Sequence, residues 1–96
     1  MHEPDFFNFF KGLGAKLREQ RVLKGLTQED MISHGFSARH WQMVEAGRPI
    51  TLKTLVRACT TFGVLPSTLL AGTETVLFAT QAKAKLSKGK LPKKSS

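Results

Sequence analysis

The sequence predicts an all-α fold, in which five short helices form one compact domain followed by a flexible basic C-terminal tail. Apolar residues recur every three or four positions over several stretches, the spacing of an amphipathic helix. Glycines at positions 25, 35 and 63 follow these stretches, where helices commonly end. A chain of 96 residues has room for one hydrophobic core, so a single folded unit is expected.

The first helix is predicted over residues 5–24, where Gly12 and Gly14 weaken the middle and leave open whether the Phe-rich start is a separate turn. Thr27, with Asp30 three residues later, is typical of a capping box and predicts a short second helix from Gln28 to His34. The residues that recur at helical spacing along one face of the first helix are Phe6, Phe10, Leu13, Leu17 and Arg21.

Ser37 is a typical N-cap for a third helix from Ala38 to Glu45, which buries Trp41 and Val44. A fourth helix, ending at Gly63, and a fifth, with Pro66 in its first turn, follow. The fourth helix is expected to bury Leu52, Leu55, Cys59 and Phe62, and the fifth carries Leu69 and Leu70. The run 75–79 is apolar but too short to assign, so both strand and helix remain open.

These patterns divide the chain into four segments. Residues 1–12 are a Phe-rich extension of the first helix, and 13–72 form the helical domain. Residues 73–82 are a candidate dimerisation segment, and 83–96 are a Lys-rich tail whose composition cannot bury enough surface to fold alone.

The formal charge of +8 is concentrated at the C-terminal end. Six of the fifteen basic residues follow Gln81, where there are no acids, and the other nine are almost balanced by seven Asp or Glu residues. The tail is therefore either a solvated end or, as we expect, an auxiliary contact to phosphates that carries no sequence preference.

The composition argues against several functional classes. Cys59 is the only cysteine, so it cannot form an intramolecular disulfide and is expected to be a core thiol. No signal peptide or membrane span is recognisable, and we expect a cytoplasmic protein. His2, His34 and His40 lack the spacing of a metal site, and no catalytic pair can be assembled. The sequence therefore predicts no metal, no cofactor and no enzymatic activity.

Three motifs occur in order between Leu13 and Leu70. Arg21 precedes the run GLTQE at 25–29; the run GFS at 35–37 precedes a helix that ends in VEAG at 44–47; and LKTL at 52–55 leads through FGV at 62–64 to a Leu pair. In this order and spacing they resemble the bacterial Cro/CI-type (XRE-like) helix-turn-helix DNA-binding proteins. The resemblance implies a lambda-repressor-like domain, an Arg21–Glu45 salt bridge and a third helix that reads DNA.

The third helix can meet base edges because only one of its faces is apolar. With Trp41 and Val44 turned inward, an outer face remains that can enter the major groove. On this face Arg39 suits guanine, Gln42 suits adenine and Met43 suits a thymine methyl group. The expected base-contacting residues are Ala38, Arg39, Gln42 and Met43.

Contacts to the DNA backbone are expected near the start of the second helix, where free amides and the helix dipole favour an anion. The resemblance assigns the Gln28 side chain to a phosphate. Further contacts are expected from Thr27, Ser37, Arg48 and Lys53, which would position the protein without reading sequence.

Two functions remain open at this point. The first is a sequence-specific transcriptional regulator, expected to be a repressor, that binds a palindromic operator in double-stranded DNA as a homodimer. The dimer interface is expected at Val64, Leu69, Val76 and Phe78, or alternatively at the phenylalanines between positions 6 and 10, the Phe cluster. The second is an antitoxin-like or adaptor protein that binds a partner protein and autoregulates through the same domain. A controller protein of a restriction system is a variant of the first.

Overall fold

Helix α1, Phe6–Leu23, starts the fold in the computed structural model, which describes residues 4–77. The Asp5 carboxylate caps this helix by accepting from the backbone N–H of Asn8 at 3.1 Å. Helix α1 continues through Gly12 and Gly14 without a break, so the Phe-rich start is not a separate turn. Phe9 and Phe10 pack against the core and thereby hold the first turns of the helix in place.

Five further helical segments follow, and the described residues contain no strand. They are a 3-10 helix Glu29–His34, α2 Ala38–Glu45, α3 Leu52–Phe62, α4 Pro66–Leu70 and α5 Glu74–Leu77. The all-α prediction is confirmed for residues 4–77, but these six helical segments are one more than the five predicted, because a further short helix begins at Glu74. The first part of the unassigned run 75–79 is helical, whereas Phe78, Ala79 and the Lys-rich tail lie outside the described residues.

Local hydrogen bonds explain the helix boundaries. Asp30 N donates to Thr27 Oγ1 at 3.1 Å, and Thr27 N donates to Asp30 Oδ2 at 2.7 Å, which completes the expected capping box. The bonds from Thr27 lower the pKa of Asp30. Ser37 caps α2 by accepting from His40 N at 3.0 Å. The second helix differs from expectation in being a 3-10 helix that begins at Glu29, one residue later.

The core lies where α1, α2 and α3 meet around Trp41, whose side chain is fully buried. The Phe36 and Phe62 rings meet the indole edge-on, with centroids 4.9 and 5.9 Å away. Burial raises the pKa of the Cys59 thiol, which belongs to this core. The prediction for Leu52 was wrong: this side chain is 71% exposed because it lies in the first turn of α3, while Ala58 completes the buried face.

The two ends of the described chain meet beside α1. The backbone N–H of Asp5 donates to the carbonyl of Leu77 at 3.0 Å, and the Lys16 ammonium donates to the carbonyl of Ala71 at 3.0 Å. Within residues 4–77 no single helix is apolar and long enough to cross a membrane. Helix α3 and the segment Pro66–Leu77 together reach that length and apolar content, but with a bend of 108° between them.

Glycine at position 14 allows α1 to approach the end of α2 closely. A Cβ added to Gly14 would lie 2.6 Å from the carbonyl oxygen of Val44 and 2.9 Å from that of Glu45. These are backbone atoms, which cannot move aside as the end of a flexible side chain can. Gly12, two residues earlier in the same helix, has open space around the same position.

We expect Gly14→Ala to lower the free energy of unfolding by about 1–3 kcal/mol, because the added methyl group forces α1 and α2 apart. The matched variant Gly12→Ala should be about 0.5–1 kcal/mol more stable than wild type, because alanine favours the helix and meets no neighbour. Urea unfolding followed by Trp41 fluorescence measures both. Equal stability of the two variants would contradict the close approach.

Candidate nucleic-acid interface

Helix α2 presents two chemically different faces. Trp41 and Val44 are buried, whereas Arg39 and Gln42 are exposed. Ala38 and Met43 are half-buried beside them. Because one face is held by the core, the orientation of the exposed face is determined by packing. All four residues that were predicted to contact bases therefore lie on α2 with side chains that are at least partly accessible.

The Glu45 carboxylate at the end of α2 joins this helix to the rest of the domain. It accepts from Arg21 Nε at 2.5 Å and Arg21 Nη2 at 3.1 Å, from Gln28 Nε2 at 3.0 Å and from Trp41 Nε1. The remaining guanidinium nitrogen, Nη1, donates to the carbonyl of Leu26 at 2.7 Å. The carboxylate therefore joins α2 to Arg21 of α1 and to Gln28, the residue before the 3-10 helix, and Arg21 in turn holds the turn after α1.

Hydrogen bonding keeps this carboxylate ionised in spite of its burial. Burial by itself would raise the pKa of Glu45, but the bonds from Arg21, Gln28 and Trp41 together outweigh it and lower the pKa. The Glu45 side chain is only 4% exposed. Its negative charge is thus compensated inside the domain and is not directed at a ligand.

The sequence indicated only part of this cluster. The resemblance implied the Arg21–Glu45 pair, and the structure places these two side chains in contact. The Trp41 contribution was missed, although a buried indole N–H needs an acceptor and Glu45 lies four residues later on the same helix. The Gln28 contribution had no comparable signal, because Gln28 and Glu45 are 17 residues apart and no helical spacing connects them.

The structure brings together only some of the residues that were expected to contact the DNA backbone. Thr27 and Gln28 line a shallow groove with Ala38 and Gln42, between the end of α1, the 3-10 helix and α2. The Gln28 amide is not simply directed outward as expected, because it is half-buried and donates to Glu45. The Thr27 and Ser37 hydroxyls both accept the capping bonds described above. Arg48 and Lys53 are exposed outside this groove.

The expected dimer contacts need a correction at Leu69. This side chain is 4% exposed and belongs to the core of its own chain, because α4 turns it toward α1 and α3, so it is not available to a second copy. Val64 and Val76 are half-buried, and Phe78 lies outside the described residues. In the Phe cluster, Phe6 and Phe7 are exposed.

Comparison with protein-family models and with the curated proteins finds no match for this chain. Among residues 4–77, no group of three or more His, Cys, Asp or Glu side chains is placed to hold a metal ion. The geometry around α2 and the sequence motifs are therefore the observations on which a function can be argued.

Replacing Glu45 should affect both stability and its dependence on pH. Since folding lowers the pKa of this carboxyl below its ordinary value of 4.5, its stabilising contribution is present above that value and is lost as the pH falls through the lower folded-state pKa. Glu45→Gln should cost about 3–5 kcal/mol at neutral pH, because Arg21 is left buried without a counter-charge. The variant should also lose stability less steeply on acidification below pH 4.5.

Urea unfolding at a series of pH values measures this dependence, with Glu19→Gln as the control because Glu19 is an exposed carboxylate on α1. The control should retain the wild-type stability and acid slope. A wild-type slope in Glu45→Gln would show that the cluster is not the source of the acid sensitivity.

Proposed function

We propose that this protein is a sequence-specific DNA-binding regulator with a lambda-repressor-like helix-turn-helix domain of the Cro/CI type, in which α2 enters the major groove. One observation carries the proposal: α2 is anchored by Trp41, Val44 and Glu45 on one side and offers Arg39 and Gln42 to solvent on the other. A reading helix needs this combination of a fixed inner face and a polar outer face.

The outer face has the chemistry that base recognition requires. The Arg39 guanidinium can donate two parallel hydrogen bonds to guanine O6 and N7, and the Gln42 amide can pair with adenine. Each such pair discriminates against a wrong base by about 1–3 kcal/mol. Met43 and Ala38 supply the small apolar contacts that suit a thymine methyl group.

Backbone contacts follow from the groups around this helix. The Gln28 amide has two hydrogens, of which one is used by Glu45, and the second can reach a phosphate oxygen. Thr27 and Ser37 have hydroxyl hydrogens that can do the same. Arg48, in the loop after α2, and Lys53, in the first turn of α3, add exposed positive charges. These groups would hold α2 in register on the duplex.

Repression as a homodimer on a palindromic operator is the form of this function that we favour. An eight-residue helix reads few base pairs, so one copy would bind weakly and with little specificity. Two copies related by a two-fold axis would read half-sites about 34–36 Å apart. Of the expected interface residues, Val64 and Val76 lie within the described chain and keep part of their side chains accessible.

A second candidate function is an antitoxin-like or adaptor protein that binds a partner protein. The specific observation in its favour is the exposure of two large aromatic side chains, 53% at Phe6 and 73% at Phe7. DNA binding would then serve autoregulation, and the two functions can coexist in one chain.

A gel shift of the full-length protein on DNA from its own promoter region is the first test, with excess random DNA, a salt series and a variant truncated after Gln81. A discrete complex that resists competitor DNA and persists after truncation is expected, because the domain reads the sequence and the tail adds only charge. The truncated protein should show a shallower salt dependence, since fewer phosphates are neutralised. Binding that competitor or truncation abolishes would contradict the proposal and favour the partner-binding function.

Arg39→Ala should lower specific affinity by about 1–3 kcal/mol, equivalent to roughly 5- to 150-fold, without changing stability, because Arg39 is exposed. Lys24→Ala is the control, since it removes one positive charge from an exposed residue just after α1 that is not among the proposed DNA contacts. Trp41→Ala should instead cost about 3–5 kcal/mol of stability by leaving a cavity. Gel-shift titrations and urea unfolding measure these effects. Equal losses of stability in Arg39→Ala and Trp41→Ala would show that α2 is rotated differently.

A further inference from the structure

An aromatic groove lies between the first turns of α1 and the loop after α2, away from the shallow groove at Thr27 and Gln28. We call it the Phe groove. It is lined by Phe6, Phe7, Phe10, Lys11, Ala46, Gly47, Arg48 and Pro49. None of its apolar lining is used by the proposed contacts to base edges, so its exposure needs a separate explanation.

The fold holds both sides of the Phe groove in place. Gly47 has a φ of 94°, and a Cβ added there would lie 2.8 Å from the Cα of Lys11, so the loop rests directly on the backbone of α1. Phe10 is half-buried and packs against the core. The groove is therefore a built feature of the domain, in which Phe6 and Phe7 stand at one side and Pro49 belongs to the other.

The apolar content of the groove favours an occupant. Single exposed apolar side chains are common on soluble proteins, but contiguous aromatic patches mark interaction sites. Phe6 and Phe7 are adjacent, both are more than half exposed, and they adjoin Phe10 and Pro49 in the same groove. An occupant with apolar groups would remove these rings from water.

The charge of the groove indicates what kind of occupant fits. Its charged lining residues are Lys11 and Arg48, and its lining includes no carboxylate. The Lys11 ammonium lies 5.8 Å from the centre of the Phe7 ring, so positive charge and aromatic surface are side by side. The Asp5 carboxylate, which precedes the groove in the chain, already accepts from Asn8 at 2.8 and 3.1 Å.

We propose that the Phe groove binds an acidic segment of another protein, whose apolar side chains contact Phe6 and Phe7 and whose carboxylates pair with Lys11 and Arg48. A second copy of this chain fits less well, because the groove lining has two cations and no carboxylate, so that pairing two such grooves would face positive charge with positive charge. The chain after Gln81 is also a poor occupant, because it carries six lysines and no acid. The groove shares Arg48 with the proposed DNA-backbone contacts but lies apart from the outer face of α2, and the proposal stands whether or not the protein reads DNA.

The experiment selects peptides from a random library displayed on phage against the full-length protein and then measures their affinity in solution by fluorescence anisotropy. Enriched peptides should combine aromatic or aliphatic residues with Asp or Glu, and their affinity should fall with added salt. Phe7→Gln and Lys11→Glu should each weaken binding at least about tenfold, since each removes one of the two kinds of contact.

Two matched variants separate this surface from general effects. Leu23→Gln changes an equally exposed apolar residue at the other end of α1, and Lys24→Glu makes the same charge change at the next residue, which belongs to neither proposed interface. Both should bind the selected peptides as wild type does. Thermal unfolding should show that all four variants fold, because every substituted side chain is exposed.

Several outcomes would overturn the proposal. One is a failure to enrich any peptide, and another is enrichment of peptides without acids or of peptides that bind Phe7→Gln unchanged. Sedimentation that shows a wild-type dimer converted to a monomer by Phe7→Gln would assign the groove to a second copy. A loss of DNA affinity in Phe7→Gln and Lys11→Glu, without peptide binding, would assign it to nucleic acid.

Discussion

The buried Glu45 carboxylate is the interaction on which the arrangement of this domain depends. It accepts hydrogen bonds from Arg21 on α1, from Gln28 at the start of the 3-10 helix and from Trp41 on its own helix. A charge at this depth is expensive unless its partners satisfy it, and here four donor groups do so. The position of α2 relative to α1 therefore depends on electrostatic satisfaction as well as on apolar packing.

This arrangement separates the tasks of the two faces of α2. Trp41 contributes both apolar packing and a hydrogen bond to the interior, because its rings pack against Phe36 and Phe62 while its N–H donates to Glu45. The outer residues have no such task in the core and remain available to a ligand. Gly14 completes the arrangement from the side of α1, where the absence of a side chain lets the two helix backbones approach.

The same close approach creates a second surface. Because Gly47 rests on the backbone of Lys11, the loop after α2 and the Phe-rich turns of α1 enclose the Phe groove. The end of α2 thus lies between two surfaces of different chemistry, the polar outer face that we propose to read base edges and an aromatic groove bordered by positive charge. If both proposals hold, the domain combines recognition of nucleic acid with recognition of an acidic protein segment, and Arg48 borders both surfaces.

The sequence by itself determined those features that depend on contacts within a few residues. Capping by Thr27, Asp30 and Ser37, the stop at Gly63 and the burial of Trp41 and Val44 are all consequences of local hydrogen bonding and helical periodicity. The Arg21–Glu45 pair came from a resemblance and not from periodicity.

Only the tertiary structure decided the features that depend on where segments distant in sequence meet. These features are the exposure of Leu52, the burial of Leu69, the hydrogen bond from the Gln28 amide to Glu45 and the close approach of Gly14 to the end of α2. The physical reason is that helical spacing defines which face a residue occupies, whereas the neighbour that covers that face is set by the packing of the whole domain.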